Sequence, residues 1–334
     1  MKLMAERASS PRLSPALTST ASMRPCRTMT KSTSAPDLLR DLDLTDDELI
    51  HLLGLADEVK HSPRDYAHAL DGKSIALLFE KPSLRTRLTF ELAIKQLGGD
   101  ALFVDGPIGV REPLKDVARN LDRWVNGIVA RVFQQATVEG LAEWSSVPVI
   151  NALSDLYHPC QALGDAQTLR EHFGDLKGRK VAFIGDGNNV AHSLMLTSLR
   201  LGANFAIGCP EGYTPDPDIV AQAEGLAAVS GASLLITHDT AQALAGAHAV
   251  YTDVWTSMGQ EQELVKRKKS FHAFQVDDDL FAQARPDAIF MHCLPAKRGE
   301  EVTDSIMEHP RSAIFDQAEN RLHAQKALLL MMLS

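Results

Sequence analysis

The chain has 334 residues, 45% hydrophobic and 23% charged, with a net charge of −9. That is material for a globular enzyme of one large or two ordinary domains. There is no apolar run near the ~20 residues a membrane helix needs, and the negative balance argues against nucleic acid as the main partner. An anionic ligand would have to be captured by local arginines. Cys26, Cys160, Cys209 and Cys293 lack metal-type or disulfide-type spacing, which suits a reducing compartment.

Residues 1–34 are rich in Ser, Thr, Arg and Pro, and Glu6 is the only acid before Asp37. With little Leu and no amphipathic arginine helix, they read as a disordered leader. The expected location is the cytoplasm, with the mitochondrial matrix as the alternative if the leader is a transit peptide. Thr45 to Glu58 reads as a helix that starts with a capping box. Ser74 to Phe79 reads as a buried strand, and the next helix carries Leu88, Leu92, Ile94 and Leu97 at helical spacing.

Between that strand and helix lie Pro82, Ser83, Arg85 and Arg87. A capping serine, free backbone N–H groups, the positive end of a helix dipole and guanidinium groups meet at one turn, which suits a phosphate. No Walker loop is present. The plainer alternative is a pair of arginines in surface ion pairs.

The pattern continues with a strand at Ala101 to Val104, a helix at Leu114 to Trp124 and a strand at Gly127 to Val132. A helix at Val138 to Trp144, a strand at Val147 to Asn151 and a helix opening at His158 follow. After a glycine-punctuated break at Gly174 to Arg179 the rhythm restarts. Strands are expected at Lys180 to Ile184, Ala203 to Cys209, Ser233 to Thr237, Ala249 to Thr252 and Ala288 to His292. A last helix, from Glu319, ends in an apolar run suited to packing on a domain. The fold class is α/β: two domains, each with a central parallel sheet flanked by helices, and an active site in the cleft between them. Ligands of such sheets bind beyond the carboxyl ends of the strands, which is where Arg85, Arg131, Asn151, His158, Asn188, Asn189, Asp253, His292 and Cys293 fall.

Gly185-Asp-Gly-Asn-Asn-Val190 fails the dinucleotide spacing at its last position, so Asn189 is read either as a polar ligand contact or as a helix cap. His158-Pro-Cys-Gln161 offers a group to polarise a carbonyl oxygen and an acceptor for an amide NH2, although a lone histidine is more often structural. Asp253 could bind an ammonium group or cap a turn. Cys293, near arginines, is expected to have a lowered pKa; covalent catalysis is the weaker reading because no paired base lies nearby in sequence. Arg321 is a further guanidinium, or one half of an exposed salt bridge.

In this order the motifs resemble those of the ornithine carbamoyltransferases. They are Ser83-Leu-Arg-Thr-Arg87, His158-Pro-Cys-Gln161, Asp253 through Ser257-Met-Gly259, His292-Cys-Leu-Pro295 and Glu319-Asn-Arg321, and the resemblance covers nearly all of the chain after Ser34. It implies attack of the uncharged δ-amino group of L-ornithine on carbamoyl phosphate, giving L-citrulline and phosphate, with carbamoyl phosphate binding first.

By the same resemblance, residues 35–155 bind carbamoyl phosphate, residues 156–318 bind ornithine, and residues 319–334 pack back on the first domain. Carbamoyl phosphate would be held by Ser83, Leu84, Arg85, Thr86, Arg131, His158, Pro159, Cys160, Gln161, Cys293, Leu294 and Arg321. Ornithine would be held by Asn189, Asp253, Ser257 and Met258. The catalytic set is Arg131, His158, Asp253 and Cys293, with Arg87 structural. No metal or organic cofactor is implied, nor any nucleic-acid or membrane partner; the expected assembly is a homotrimer or a multiple of trimers.

Three positions depart from the family pattern: Leu84 for a threonine, Gly164 for an alanine, and Pro107 for a side chain that reaches a neighbouring subunit. The rival readings are a carbamoyltransferase for N-acetylornithine, putrescine or aspartate, a non-catalytic paralogue, and a nucleotide-dependent oxidoreductase, which the glycine spacing weakens.

Overall fold

The computed structural model describes residues 33–256 and 261–334. Most of the leader, with Ser257, Met258 and Gly259, lies outside the described residues. The first half comprises α1 (Asp46–His61), β1 (Ser74–Phe79), α2 (Leu84–Gln96), β2 (Asp100–Asp105), α3 (Leu114–Trp124), β3 (Gly127–Arg131), α4 (Gln135–Glu143) and β4 (Val149–Leu153). Helix α5 (Pro159–Phe173) leads into the second half. There follow β5 (Lys180–Ile184), α6 (Asn189–Arg200), β6 (Asn204–Gly208), α7 (Pro217–Ser230), β7 (Leu234–Thr237), α8 (Thr240–Leu244) and β8 (Ala249–Thr252). The chain ends with α9 (Leu264–Phe271), α10 (Asp278–Phe281), β9 (Ile289–His292), α11 (Asp304–Met307) and α12 (Ile314–Leu333).

The strands form two parallel sheets, ordered β2-β1-β3-β4 and β7-β6-β5-β8-β9. In each, the chain runs to one edge and then returns to the other side of its first strand. The reversal points, between β1 and β3 and between β5 and β8, open crevices at the carboxyl ends. Strands β1, β3 and β8 are buried almost throughout, as expected of strands covered on both faces.

The capping box forms as read: Thr45 Oγ1 accepts from the Glu48 N–H at 3.2 Å, and Glu48 Oε2 accepts from the Thr45 N–H at 2.7 Å. Two readings need correction. Helix α12 starts at Ile314, not Glu319, because its first turns bury polar Gln317, Asn320 and Arg321, which supply no apolar period. On α2, Leu88 and Leu92 face outward, and Phe90, Ala93, Ile94 and Leu97 form the buried side.

Helix α12 packs with α1, α2 and α5 into the core of the first sheet. In return, Arg200 of α6 donates to the carbonyls of Asp41 and Leu44, tying the segment before α1 to the second half. Among the described residues no helix is long and apolar enough to cross a membrane.

Candidate active site

Strand β1 ends beside a turn in which Ser83 caps α2, its Oγ accepting from the Thr86 N–H at 3.2 Å. The other first-turn N–H groups have no intrahelical partner, so the turn presents donors and the positive dipole end together. Thr86 is buried, and its Oγ1 accepts from Arg321 Nη2 at 2.7 Å. Arg87 turns away: its Nε donates to Glu91 at 2.8 Å and its guanidinium lies 3.6 Å from the Phe103 ring centroid.

Strand β3 ends at Arg131, where its register against β4 shifts. Such an irregularity re-aims a strand-end side chain. Burial, then repulsion by Arg321 and Arg85, pushes Arg131 down to about 10. Burial also lowers Arg85, Arg321 and Lys81. Among the described residues no carboxylate offsets the charge of Arg85 or Arg131, and Arg131 Nε and Arg321 Nε are buried without a hydrogen-bond partner. This is a cluster of desolvated cations short of an anion.

His158 stands just before α5, its N–H donating to Ser193 Oγ at 2.8 Å. Burial, then Arg321, Arg131 and Lys81, holds the imidazole well below its usual pKa, so the ring is neutral, and its Nδ1 is buried without a partner among the described residues. One turn on, Gln161 donates through Nε2 to Asp165 Oδ1 at 2.8 Å.

The second sheet contributes the opposite wall. Asn188 caps α6, accepting from the N–H groups of Val190 and Ala191, and its Nδ2 donates to Asp253 Oδ2 at 2.9 Å. Asn189 donates through Nδ2 to the Ser154 carbonyl at 2.6 Å. Thr252 pairs with His292 across β8 and β9, so the next residues, Asp253 and Cys293, are neighbours. The Cys293 thiol donates to Asp253 Oδ1 at 3.0 Å. The expectation of a lowered Cys293 pKa is overturned: burial, then the Asp253 carboxylate, pushes the thiol well up, outweighing Arg321. Leu294 takes a left-handed backbone (φ 58°), uncommon for a branched side chain, and its N–H donates to His292 Nδ1 at 2.8 Å.

These groups line a cavity of about 560 Å³ between the sheets. Of the residues expected at the site, Ser83, Leu84, Arg85, Thr86, Arg131, His158, Gln161, Asn189, Asp253, Cys293, Leu294 and Arg321 line it. Pro159 and Cys160 do not; Cys160 Sγ points to the Asn151 carbonyl at 3.4 Å. Asn151 also lies off the cavity, its amide donating to the Leu39 carbonyl at 2.8 Å. Ser257 and Met258 fall outside the described residues.

Lys81, Thr256 and Lys297 line the cavity without having been singled out. Lys81 stands two residues before the capping Ser83, and its position in the loop was the available signal. Ligand atoms of Asp253, His292 and Cys293 lie within 4.8 Å of one another, a spacing that could hold a metal. However, His292 Nδ1 accepts from Leu294, its Nε2 faces Glu301 at 3.3 Å, and the Cys293 thiol is engaged by Asp253, so this set is not arranged for one.

Two family descriptions match the chain. "Aspartate/ornithine carbamoyltransferase, carbamoyl-P binding domain" covers residues 36–171, and "Aspartate/ornithine carbamoyltransferase, Asp/Orn binding domain" covers residues 177–332. The chain is similar to a protein named ornithine carbamoyltransferase from Thermococcus kodakarensis, 50% identical over 310 residues (91% of this chain and 98% of the relative). It is also similar to one from Thermus thermophilus, 52% identical over 289 residues (86% and 93%). The solved ornithine carbamoyltransferase from Pyrococcus furiosus superposes with a TM-score of 0.87 at 48% identity, over 90% of this chain and 98% of that one. A solved N-acetyl-L-ornithine transcarbamylase gives a TM-score of 0.81 at 34% identity, over 89% and 99%. With both halves matched along nearly their whole length, the chain belongs to the aspartate/ornithine carbamoyltransferase family.

Proposed function

We propose that this protein transfers the carbamoyl group of carbamoyl phosphate to the δ-amino group of L-ornithine, giving L-citrulline and phosphate. The observation that carries the reading is the cluster of guanidiniums, among the described residues half-buried Arg85 and buried Arg131 without an offsetting carboxylate and buried Arg321 with its Nε unbonded, which shares one cavity with the carboxylate of Asp253. A dianion meets the first group and an amine meets the second. Relatives named ornithine carbamoyltransferase at about half identity support the choice of amine, and one from Pyrococcus furiosus named anabolic supports a role in arginine biosynthesis.

In this reading the phosphate sits on the α2 turn, held by Ser83, Leu84, Arg85, Thr86 and Arg321. Arg131 and neutral His158 point donors at the carbonyl oxygen. Gln161 accepts from the carbamoyl NH2. Asn189 and Asp253, with Ser257 and Met258, hold ornithine, and Cys293 and Leu294 lie between the substrates. The δ-nitrogen lone pair forms the new C–N bond, and charge gathers on the carbonyl oxygen, where fixed donors stabilise it. The tetrahedral centre then breaks its C–O bond, phosphate leaves with the electron pair, and the attacking nitrogen loses a proton. Asp253 and Cys293 are the groups beside that amine. The raised Cys293 pKa argues for a neutral thiol that positions, not a thiolate that attacks. Positioning and charge stabilisation supply the rate without a cofactor.

The proposed division of labour is residues 35–155, with 319–334 returning, for carbamoyl phosphate, and 156–318 for ornithine. We propose a homotrimer; contact between subunits is supported by apolar residues left exposed on α2, on edge strand β2 and just beyond: Leu84, Leu88, Leu92, Leu102, Val104 and Val110. Free Cys160, Cys209 and Cys293 support a reducing compartment, which the proposed cytoplasmic location provides.

The test is citrulline formation by the purified protein from carbamoyl phosphate and a panel of amines. Turnover with L-ornithine is expected. Turnover only with N-acetylornithine or putrescine would overturn the choice of acceptor.

A further inference from the structure

Asp165 stands one helical turn beyond Gln161 on α5 and is fully buried. Its carboxylate accepts from three elements: Gln161 Nε2 of α5 at 2.8 Å, Gln317 Nε2 of α12 at 2.6 Å and the Tyr251 hydroxyl of β8 at 3.1 Å. Gln317 Nε2 also donates to the Tyr251 oxygen at 3.0 Å. Burial and Asp165 hold the Tyr251 phenol protonated, so it remains a donor.

A glutamine amide has two ends of nearly equal shape and opposite hydrogen-bonding character. Left free, Gln161 could offer the cavity either end. Burial raises the Asp165 carboxyl to about 6 against the hydrogen bonds it accepts, so above that pH it is a carboxylate that only accepts, and Gln161 must turn Nε2 inward. Oε1 is then the end left over, and it is buried without a hydrogen-bond partner among the described residues. An unmet acceptor of this kind calls for a ligand N–H.

We propose that Asp165 is a positioning residue that fixes the direction of the Gln161 amide, and that the site thereby selects an acyl phosphate carrying an NH2 over an isosteric one carrying a methyl group. This rests on the reading of the cavity as a carbamoyl phosphate site. Acetyl phosphate has the same shape and the same phosphate but no donor at that position. A buried acceptor facing a methyl group loses its hydrogen bond, which is how a polar site rejects an analogue.

The experiment compares carbamoyl phosphate and acetyl phosphate on the native enzyme and on Asp165→Leu. The KM for carbamoyl phosphate and the inhibition constant of acetyl phosphate against it are the readouts. Asp165→Leu should weaken carbamoyl phosphate by roughly 5- to 100-fold, the range for leaving a buried N–H without its acceptor. Acetyl phosphate should shift less, because it has no N–H to lose; any change that the loss of Asp165 makes at Arg321, which its carboxylate attracts, falls on both ligands alike. Adding Gln161→Leu to Asp165→Leu should cost little more.

Equal weakening of both ligands would mean a merely structural role and would overturn the assignment, as would full additivity of the two substitutions. A second measurement needs no variant. In a neutron crystal structure of the deuterated native enzyme, the Gln161 deuterons should point at Asp165; deuterons facing the cavity would overturn the assignment. A native enzyme that makes no citrulline overturns the reading of the site itself. A native enzyme that makes citrulline, with both ligands weakened alike in Asp165→Leu, overturns only the role of Asp165.

Discussion

The thiol of Cys293 donates to Asp253 Oδ1 across 3.0 Å, joining the ends of adjacent strands β9 and β8. Burial and that carboxylate keep it a thiol. Iodoacetamide at pH 8 should therefore label the Cys293 peptide at least about ten times more slowly than a free cysteine. Burial pushes Cys160 up to about 12 and Cys209 up to about 11, so their peptides should be equally slow. Rapid labelling of Cys293, followed by mass spectrometry, would contradict a neutral thiol.

Arg131 shows what an unfilled cation cluster costs. Arg321 and Arg85 repel it, and burial strips its water. Arg131→Met should therefore bind carbamoyl phosphate about 100-fold or more weakly. Without ligand, the same variant should be more stable than native by about 1–3 kcal/mol, because a desolvated charge has been replaced by an apolar stem. Denaturant unfolding with and without carbamoyl phosphate separates the two effects: the ligand should raise the native midpoint far more than that of the variant.

A Cβ on Gly164 would stand 2.9 Å from Arg321 Cγ and 3.2 Å from Arg321 Cα. Gly164 is what lets α12 lie close enough to α5 for Arg321 to reach Thr86. Gly164→Val should cost about 1–3 kcal/mol by overpacking and should raise the KM for carbamoyl phosphate. Gly164→Ala should do less, since it adds one carbon against Arg321 and not three. Denaturant midpoints and steady-state kinetics check both.

Asp41 gives a signed pH dependence. Burial raises its carboxyl to about 6 from 3.8, against hydrogen bonds from Ser193 and attraction by Arg200. The folded state thus holds a proton that the unfolded state has lost between these values, so this group's contribution to stability is full below about pH 4 and falls as pH rises through 6. Asp41→Asn removes the titration. Relative to native, the variant should gain on the order of 3 kcal/mol between pH 4 and pH 7. A stability difference that stays flat across that range would contradict a buried charge at Asp41.

The strands were legible because parallel strands covered on both faces are nearly continuous apolar runs; Lys180–Ile184 and Ala249–Thr252 agree to the residue. The outward turn of Leu88 and Leu92 was not legible. Periodicity marks an apolar face but does not say whether the chain's own core or another chain covers it, and the exposed leucines share a surface with Leu102 and Val104 of the edge strand. At the site, Arg85, Arg131 and Asp253 announce themselves by charge at strand ends. Asp165, Gln317 and Tyr251 do not. Their partners are up to 152 residues away in sequence, and each resembles an ordinary helix or strand residue until the fold brings them together. The direction of the Cys293 shift was misjudged for a similar reason: nearby arginines were visible in the sequence, but complete burial and a carboxylate at hydrogen-bond distance were not.

Helix α12 has a consequence for the order in which the molecule is made. The cores around the second sheet draw on residues between Tyr157 and Ile314, so that part can close soon after Ile314 is synthesised. The core of the first sheet runs from Leu38 to Ala166 but also needs Ala324 to Leu333. A domain generally folds as a unit once its chain is available. The half of this protein that is synthesised first is therefore finished last, and it acquires Arg321 in the same step that completes its core.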